Sequence, residues 1–325
     1  MTKCLGCGAT LQNLDPTQDG YVKDLSKALC ERCFKIRHYN EYKFIDKSND
    51  YYLSIIKKIE KTNDLVLLVT DFLNTESLNE IMIKNPVILV LAKRDLIPRS
   101  FDENKLLNKI STKLNIVDKI IVGSQNNYNL DLLYNKINKH KLSNNVYVIG
   151  YTNAGKSTLI NKLIKNYSHN AYQITTSILP STTLDLIEVP IDENLTIIDT
   201  PGLLDKGSII QYVDAFTLNK IIPKEELKPV VIQVKTPQSI LVDSLMRLDV
   251  RPHTVLIFYL SKSLKLERYY KPTHKLQHLQ HYIVDVKGGS DLVIKGLGFI
   301  KITQDTQIEF YLDEHIKYVI RPSII

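Results

Sequence analysis

The fold is decided by the stretch Gly150-Tyr151-Thr152-Asn153-Ala154-Gly155-Lys156-Ser157. It matches the phosphate-loop pattern G-x-x-x-x-G-K-[ST] at every fixed position. The apolar run Val146–Ile149 precedes it and the helix-like run Ser157–Lys162 follows it. Glycines in this strand–loop–helix setting let backbone N–H groups approach phosphates at the start of a helix. The stretch therefore predicts an α/β domain that binds a nucleotide.

A second motif, Asp199-Thr200-Pro201-Gly202, begins 49 residues after Gly150 and ends the apolar run Leu195–Ile198. A GTPase carries at this position the aspartate and glycine that sense Mg²⁺ and the third phosphate. Between the two motifs, the segment Pro180-Ser181-Thr182-Thr183-Leu184-Asp185 offers hydroxyl groups for the switch contact to both. Thr183 is the favoured candidate because it stands next to the strand predicted from Leu184, although the segment also fits an ordinary polar turn.

The motif that reads the base does not follow these two motifs. The nearest relative of an N-K-x-D motif is Ala92-Lys93-Arg94-Asp95, which lies upstream of the phosphate loop. We interpret this rotated order as a circular permutation, which is physically cheap because the termini of a domain usually lie close together. Permutation also lets the segment after Gly202 run directly into another domain.

The predicted guanine reader is Asp95, whose carboxylate would accept the ring N–H and the exocyclic amine that adenine cannot present. Lys93 would lay its methylenes over the base, and Ser124 would offer its backbone N–H to the guanine oxygen. Ala92 departs from the usual asparagine, which links the base to neighbouring loops. A lost hydrogen bond costs about 0.5–1.5 kcal/mol, so we expect guanine preference with weaker affinity.

The phosphates and metal ions complete the predicted site. Lys156 should hold the second and third phosphates, while Ser157, Thr183 and Asp199 should hold Mg²⁺. Leu203 stands where many GTPases carry a water-orienting glutamine. The Asn153 oxygen offers a substitute by holding a monovalent cation against the phosphates, although Asn153 also fits a role of bonding only within its loop. The predicted cofactor-binding residues are Gly150, Asn153, Ala154, Gly155, Lys156, Ser157, Thr158, Lys93, Asp95 and Ser124, and the predicted catalytic residues are Lys156, Thr183, Gly202 and Asn153.

All four cysteines fall in two C-x2-C pairs near the N-terminus, Cys4/Cys7 and Cys30/Cys33. Paired C-x2-C elements predict a tetrahedral zinc site, because two sulfurs on each of two turns can reach bonds of about 2.3 Å together. The intervening loop of 22 residues is slightly longer than usual. Two unrelated thiol pairs or a redox motif are the alternatives.

Three domains are expected: a zinc module over residues 1–48, a nucleotide domain over 49–207 and a mainly β domain over 208–325. In the second, short apolar runs alternate with helical patterns, which predicts a three-layer α/β domain with a mostly parallel sheet. The mainly β domain is predicted from five alternating runs after 208, which are 229–235, 253–259, 282–286, 299–303 and 307–311. The predicted strands of the nucleotide domain are 65–70, 87–91, 119–122, 145–149, 184–189 and 195–198, and its predicted helices are 51–61, 130–140 and 156–165.

The formal net charge of +7 is compatible with an RNA partner but does not require one. Basic and aromatic residues alternate between Lys262 and Tyr282 and again from Phe34 to Asn40. Such side chains can neutralise phosphates and stack on unpaired bases, but they also fit a solvated surface. The longest apolar runs are strand-sized and the N-terminus has no apolar signal core, so a cytoplasmic protein without a membrane partner is expected.

Taken together, the chain resembles the YqeH-type circularly permuted GTPases, which act in assembly of the small ribosomal subunit. The resemblance rests on the two cysteine pairs, residues 150–157, 180–185 and 199–203, and the segment Lys295-Gly296-Leu297-Gly298-Phe299. It implies slow, potassium-stimulated hydrolysis of GTP to GDP and phosphate, with Asn153 at the potassium-linked position. It also implies a C-terminal β domain that recognises RNA or a peptide, and as partners the small ribosomal subunit, its rRNA precursor or ribosomal proteins.

Two other classes of function fit parts of the sequence. An RNA-binding, ribosome-associated module with a vestigial nucleotide site is supported by Ala92 and opposed by the intact Lys156, Ser157 and Asp199. A P-loop ATPase or kinase is disfavoured, because Asp95 and the Asp199–Gly202 motif together are parts of a GTPase.

Overall fold

The computed structural model describes residues 2–39, 49–168, 185–271 and 273–325, without the side chains of 36–39 and 49–50. The chain forms two compact units. The first comprises Met1–Phe72, Leu78–Arg94 and Thr112–Leu204, and the second comprises Leu73–Ser77, Asp95–Ser111 and Asp205–Ile325. The three domain boundaries predicted above remain predictions.

A six-stranded sheet forms the centre of the first unit, with the strand order β3-β2-β1-β4-β6-β5. All neighbours are parallel except β5, which runs antiparallel to β6. Strands β1 and β2 are buried at every position, as expected for strands covered on both faces. The six strands are β1 (Leu65–Asp71), β2 (Val87–Ala92), β3 (Ile116–Ile121), β4 (Asn145–Gly150), β5 (Ile187–Asp192) and β6 (Leu195–Asp199).

The predicted mostly parallel sheet is confirmed; four strands end one residue later than predicted, and β3 and β5 are shifted further. Strand β3 begins at Ile116 rather than 119, because Asp118 and Lys119 interrupt the apolar pattern that marked the strand. Strand β5 runs from Ile187 to Asp192 with alternating burial, since this edge strand has a solvent-facing side. The predicted start of that strand at Leu184 lies outside the described residues.

The helices of the first unit follow the expected apolar periodicity. Helix α5 starts at the phosphate loop and buries Leu159, Ile160, Leu163 and Ile164. The described helices of this unit are α1 (Glu31–Tyr39), α2 (Asn49–Ile59), α4 (Leu130–His140) and α5 (Lys156–Tyr167), and those of the second unit are α3 (Glu103–Lys109) and α6 (Ala215–Ile221). In the second unit, Asp102 and Asp214 cap α3 and α6 by accepting the backbone N–H groups of Lys105 and Thr217.

Two five-stranded antiparallel sheets form the second unit, with the orders β16-β13-β14-β10-β7 and β11-β8-β9-β15-β12. This confirms the mainly β C-terminal region. The alternating runs indicated only five of its ten strands. The strands are β7 (Val230–Val234), β8 (Gln238–Val242), β9 (Met246–Val250), β10 (Thr254–Leu260), β11 (Leu266–Tyr269), β12 (Gln280–Val286), β13 (Ser290–Ile294), β14 (Gly298–Ile302), β15 (Thr306–Leu312) and β16 (Tyr318–Pro322).

A buried ion pair fixes Asp205, the first residue of the longest segment of the second unit. The Lys295 ammonium lies 2.8 Å from the Asp205 carboxylate, and both side chains are almost fully buried. Ser77 donates to the other Asp205 oxygen at 3.0 Å. A Cβ at Gly296 would lie 2.1 Å from the Ser208 hydroxyl, so only glycine allows this approach. The segment that follows the Asp199–Gly202 motif is therefore anchored beside the β13–β14 turn.

Candidate nucleotide-binding site and metal centre

The phosphate loop connects β4 to α5 and needs both of its glycines. Gly150 has φ 152°, and a Cβ there would lie 2.1 Å from the Val69 carbonyl oxygen of the neighbouring strand. Gly155 has φ 102°, in the left-handed region that favours glycine. Ser157 and Thr158 lie in the first turn of α5, where unpaired backbone N–H groups and the helix dipole favour an anion.

Lys156 is buried and donates to two carbonyl oxygens of the loop, that of Gly150 at 2.9 Å and that of Tyr151 at 3.2 Å. Burial lowers the pKa of Lys156 to about 8, against the opposing effect of the nearby Asp199 carboxylate. A phosphate group at this site would favour the charged ammonium. Lys156 is thus a buried cation suited to bind an anion.

The Asp199–Gly202 motif packs directly on the phosphate loop. Thr152 N–H donates to the Leu203 carbonyl at 2.9 Å, and Leu203 N–H donates to the Gly150 carbonyl at 3.0 Å. A Cβ at Gly202 would lie 3.0 Å from Lys156 Nζ. Asp199 is fully buried at the end of β6. The structure therefore places Gly202 beside the lysine that should hold the phosphates.

Asn153 takes a left-handed backbone conformation within the loop, with φ 61°. Its side-chain Nδ2 is buried and has no hydrogen-bond partner. The two ends of an amide are nearly indistinguishable in shape, so a rotated amide presents Oδ1 at the same point. A buried polar atom without a hydrogen-bond partner is expected of a side chain that contacts a ligand. It is not expected of a side chain whose role is to form hydrogen bonds within its own loop. The adjacent Ala154 is buried, and its N–H donates to the Tyr151 carbonyl at 3.2 Å.

A cavity of about 160 Å³ adjoins the phosphate loop in the first unit. It brings together Lys93 and Ser124 from the predicted base-reading loops with Gly155 and Thr158 from the phosphate loop. Ala92 also lines it, with its methyl group 3.4 Å from the point where a Cβ of Gly155 would lie. The further lining residues are Val122, Gly123, Leu130, Leu159 and Lys162.

Two predicted site residues are not among those that line this cavity or the phosphate loop. Asp95 lies in the short 3-10 turn Arg94–Leu96 directly after β2, in the part of the chain assigned to the second unit. Thr183 falls in a segment outside the described residues. The roles of both residues remain predictions.

Sequence reasoning missed Asp71, the last residue of β1. Its carboxylate lies 2.7 Å from the Lys93 ammonium and is 6% exposed. The available signal was an aspartate that ends a fully apolar strand, LVLLVTD. Its partner depends on the pairing of β1 with β2, which the linear sequence does not display.

The four cysteines form one buried cluster in which all the sulfurs lie within 4.8 Å of one another. The Cys7 and Cys30 sulfurs are 3.8 Å apart, and a tetrahedral ZnS₄ centre with bonds of about 2.3 Å has edges of this length. The set fits Zn²⁺, which takes four thiolates in closed structural sites.

The cluster also forms most of the core of its module. Among the described residues of the module, the apolar side chains buried with the cysteines are those of Ala9, Leu11 and Val22, so a bound metal would supply the cohesion that apolar side chains do not. Gly8 has φ 80°, and a Cβ there would lie 2.9 Å from the Asp185 carbonyl oxygen. Asp185 N–H donates to the Cys7 carbonyl at 3.2 Å. The module therefore contacts the residue two positions after Thr183.

Comparison with known proteins agrees with this geometry. A family model described as 50S ribosome-binding GTPase matches residues 145–257, which begin at the strand before the phosphate loop. GTPase Der of Mycoplasma mycoides subsp. mycoides is 28% identical over 189 residues, covering 52% of this chain and 41% of that protein. The fold and the site define a P-loop GTPase, as predicted.

The similarity extends over the whole chain in one relative. The uncharacterized protein YqeH of Bacillus subtilis is 29% identical over 361 residues, which cover 99% of each chain. Together with the GTPase match and the four-cysteine cluster, this confirms the predicted resemblance to YqeH-type GTPases. In the part of the chain that is described, every helix is too short or too polar to cross a membrane.

Proposed function

We propose that this protein is a GTP-hydrolysing switch that acts in assembly of the small ribosomal subunit, on the subunit or its rRNA precursor. The observation that carries the proposal is the packing of Gly202 and Leu203 on the phosphate loop beside Lys156. A loop in contact with the phosphate-binding lysine is suited to respond to the third phosphate. The link to ribosomes rests on the matching family's description and on the resemblance to YqeH.

The strand order supports a circularly permuted GTPase domain. The phosphate-loop strand β4 lies between β6, which ends at Asp199, and β1. Strand β2, which ends at Ala92, lies on the far side of β1. The base-reading and phosphate-reading segments thus leave parallel strands at the same edge of the sheet, with β1 between β2 and β4, although their order along the chain is rotated.

In this proposal, Lys156 and the N–H groups of the phosphate loop hold the phosphates, and the N–H of Gly202 contacts the third. Ser157, Asp199 and Thr183 would hold Mg²⁺, which neutralises developing charge when it is bound. Leu203 has no group that can orient water. We therefore assign the positive charge that offsets the negative charge developing on the phosphates to K⁺ held by Asn153 Oδ1. The buried end of the Asn153 amide that has no partner supports this role, because Oδ1 occupies this point when the amide is rotated.

The same proposal makes Asp95 the residue that selects guanine. We expect Asp95→Asn to lower GTP affinity at least about a hundredfold, because the new amide NH2 faces the guanine amine and neither hydrogen bond keeps its charged acceptor. Each such charge-assisted bond contributes about 1.5–3 kcal/mol. Titration calorimetry with GTP and with xanthosine triphosphate measures the effect. Xanthine carries an oxygen where guanine carries its amine, so the variant should gain affinity for the xanthine nucleotide. Unchanged GTP binding by the variant would show that Asp95 does not contact the guanine base.

RNA contact is proposed for a cleft of the second unit, of about 440 Å³, between the edge strands β7 and β11. Its lining includes Lys235, Arg268 and Tyr270 and no carboxylate. The Arg268 guanidinium lies 5.2 Å from the centroid of the exposed Tyr270 ring. Arg268 and Tyr270 belong to the predicted Lys262–Tyr282 patch, in which Lys265 and Lys275 are partly neutralised by Glu267. The part of the patch that lines the cleft is therefore the better candidate for binding phosphates and stacked bases.

We expect the double substitution of Arg268 and Tyr270 by alanine to weaken binding of a single-stranded rRNA fragment at least tenfold. Stacking on an aromatic ring contributes about 1–3 kcal/mol per base, and loss of one phosphate contact should reduce the salt slope by about 1. Fluorescence anisotropy over a salt series measures both quantities. Lys287→Ala, which removes an exposed cation elsewhere on the same unit, is the control. An equal loss in both variants would indicate general charge attraction rather than a site.

A further inference from the structure

The last residue of β1 lies directly beside the base-reading segment. Asp71 is paired in register with Ala92 of the parallel strand β2. Its carboxylate accepts from the Lys93 ammonium at 2.7 Å, and the lysine side chain is 28% exposed against 6% for the aspartate. A nearly buried carboxylate thus holds one end of a partly exposed lysine.

The Lys93 backbone needs such support. It has φ 60°, in the left-handed region where a residue with a side chain costs about 1–2 kcal/mol. Conformations of this kind persist only where the surroundings over-determine them, and they cluster at ligand sites. The ion pair with Asp71 is one contact that fixes this conformation.

The methylene stem of Lys93 lies against the phosphate loop. Its Cγ and Cε are each 3.9 Å from the point where a Cβ of Gly155 would lie. The same side chain lines the 160 Å³ cavity that Ser124 and Thr158 also line. Lys93 is therefore held at its ammonium end by Asp71 while its stem forms a wall between the phosphate loop and the space for the base.

Ala92 stands where an asparagine usually links the base-reading motif to neighbouring loops. Its methyl group cannot make those hydrogen bonds, so another residue has to hold the motif in place. We propose that Asp71 takes over this task as a positioning residue that fixes Lys93 for guanine binding. The inference rests on the proposed GTP site and adds a residue from a strand outside its predicted motifs. Asp71 itself needs no contact with the nucleotide.

A double-mutant cycle tests the proposal. We expect Asp71→Ala and Lys93→Met each to weaken GTP binding about tenfold, or about 1.4 kcal/mol, because each breaks the same contact. The double variant should also lose about tenfold rather than a hundredfold, since coupled residues are not additive. The double variant also removes the nearly buried carboxylate whose ion pair Lys93→Met alone would break. Asp71→Asn, which keeps an acceptor, should recover part of the affinity.

The matched control is a second lysine–aspartate pair in the same unit, between helix α4 and strand β3. Lys136 lies 2.5 Å from Asp118 of β3, and both side chains are about as buried as Lys93. Asp118→Ala should leave GTP affinity unchanged, even if it lowers the thermal stability of the unbound protein. Calorimetry with GTP and ATP, together with thermal unfolding of every variant, separates an effect on binding from an effect on folding.

Two results would overturn the inference. In one, Asp71→Ala binds GTP within twofold of the wild type; in the other, the two single effects multiply in the double variant. A wild-type protein without guanine preference would instead refute the proposed function, and this inference with it. Guanine preference in the wild type combined with an unaffected Asp71→Ala variant refutes the positioning role alone.

Discussion

Lys156→Ala should abolish measurable GTP binding and hydrolysis while raising the thermal stability of the nucleotide-free protein. The lysine is a buried cation held by two carbonyl oxygens beside Gly202. Alanine removes the charge-assisted contacts to the phosphates, and we expect a loss in affinity of at least about a thousandfold, or about 4 kcal/mol. The stability gain follows because alanine also removes a charge whose burial is unfavourable.

The lowered pKa of Lys156 gives this prediction a pH dependence. Its folded pKa is about 8 against an ordinary value of 10.5, so the destabilisation is fully present below pH 8 and disappears as the pH rises towards 10.5. The stability difference between variant and wild type should therefore shrink over that window. Since phosphate binding favours the charged ammonium, GTP binding should also take up a proton above pH 8.

Calorimetry in buffers of different ionisation enthalpy measures the proton uptake, and thermal unfolding from pH 7 to 10 measures the stability difference. Lys162→Ala is a matched control, because this lysine lies on the same helix and lines the cavity beside the loop. It should reduce affinity only slightly. A Lys156→Ala variant that still bound GTP with wild-type affinity would contradict the assignment of the phosphate site.

Removal of zinc should unfold residues 2–33 and slow GTP hydrolysis. The module has few buried apolar residues beyond its thiols, and structural zinc contributes about 10–16 kcal/mol of apparent binding free energy in small zinc-finger peptides at neutral pH. We therefore expect Cys7→Ser to abolish stoichiometric zinc and to expose the module to proteolysis. Strong chelation of the wild-type protein should have the same effect, reversed by added Zn²⁺.

The effect on hydrolysis follows from the contacts to Asp185. The Cys7 carbonyl accepts its N–H, and the Lys3 ammonium lies 3.1 Å from its carboxylate. Loss of the module would remove these two contacts from Asp185, the residue two positions after Thr183, and we expect hydrolysis to slow several-fold while GTP binding is retained. Val22→Ala, which alters the same small core without touching a thiol, should keep both zinc and activity. Zinc-free protein with an intact module and an unchanged rate would contradict this account.

Local chemistry explains why the phosphate loop could be located from the sequence. Gly150 and Gly155 are both required by their backbone conformations, and Gly150 also by its close approach to a neighbouring strand. Such requirements appear in the sequence as glycines at fixed spacing. The cysteine cluster was predictable for a similar reason, because two turns of fixed spacing bring the sulfurs together. The apolar runs of β1 and β2 gave the sheet, since strands buried on both faces have continuous apolar sequences.

The parts that sequence did not predict depend on long-range pairing. The partners Asp71 and Lys93 meet only because β1 and β2 pair in one particular register. Asp205 and Lys295 are 90 positions apart and form a buried pair in the second unit. Strands such as β11, with only partly buried or exposed residues, lack a strong apolar pattern. In each case the deciding information is the tertiary neighbour rather than the local sequence.

The central claim is that this chain binds guanine nucleotides through a potassium-assisted GTPase site. Its most direct test is titration calorimetry of the full chain with GTP and ATP, in the presence of Mg²⁺, first in potassium and then in sodium buffer. The account predicts GTP binding at least about a hundredfold tighter than ATP binding, a difference of about 2.7 kcal/mol, with tighter GTP binding in potassium. Equal affinities for GTP and ATP in both buffers would contradict it.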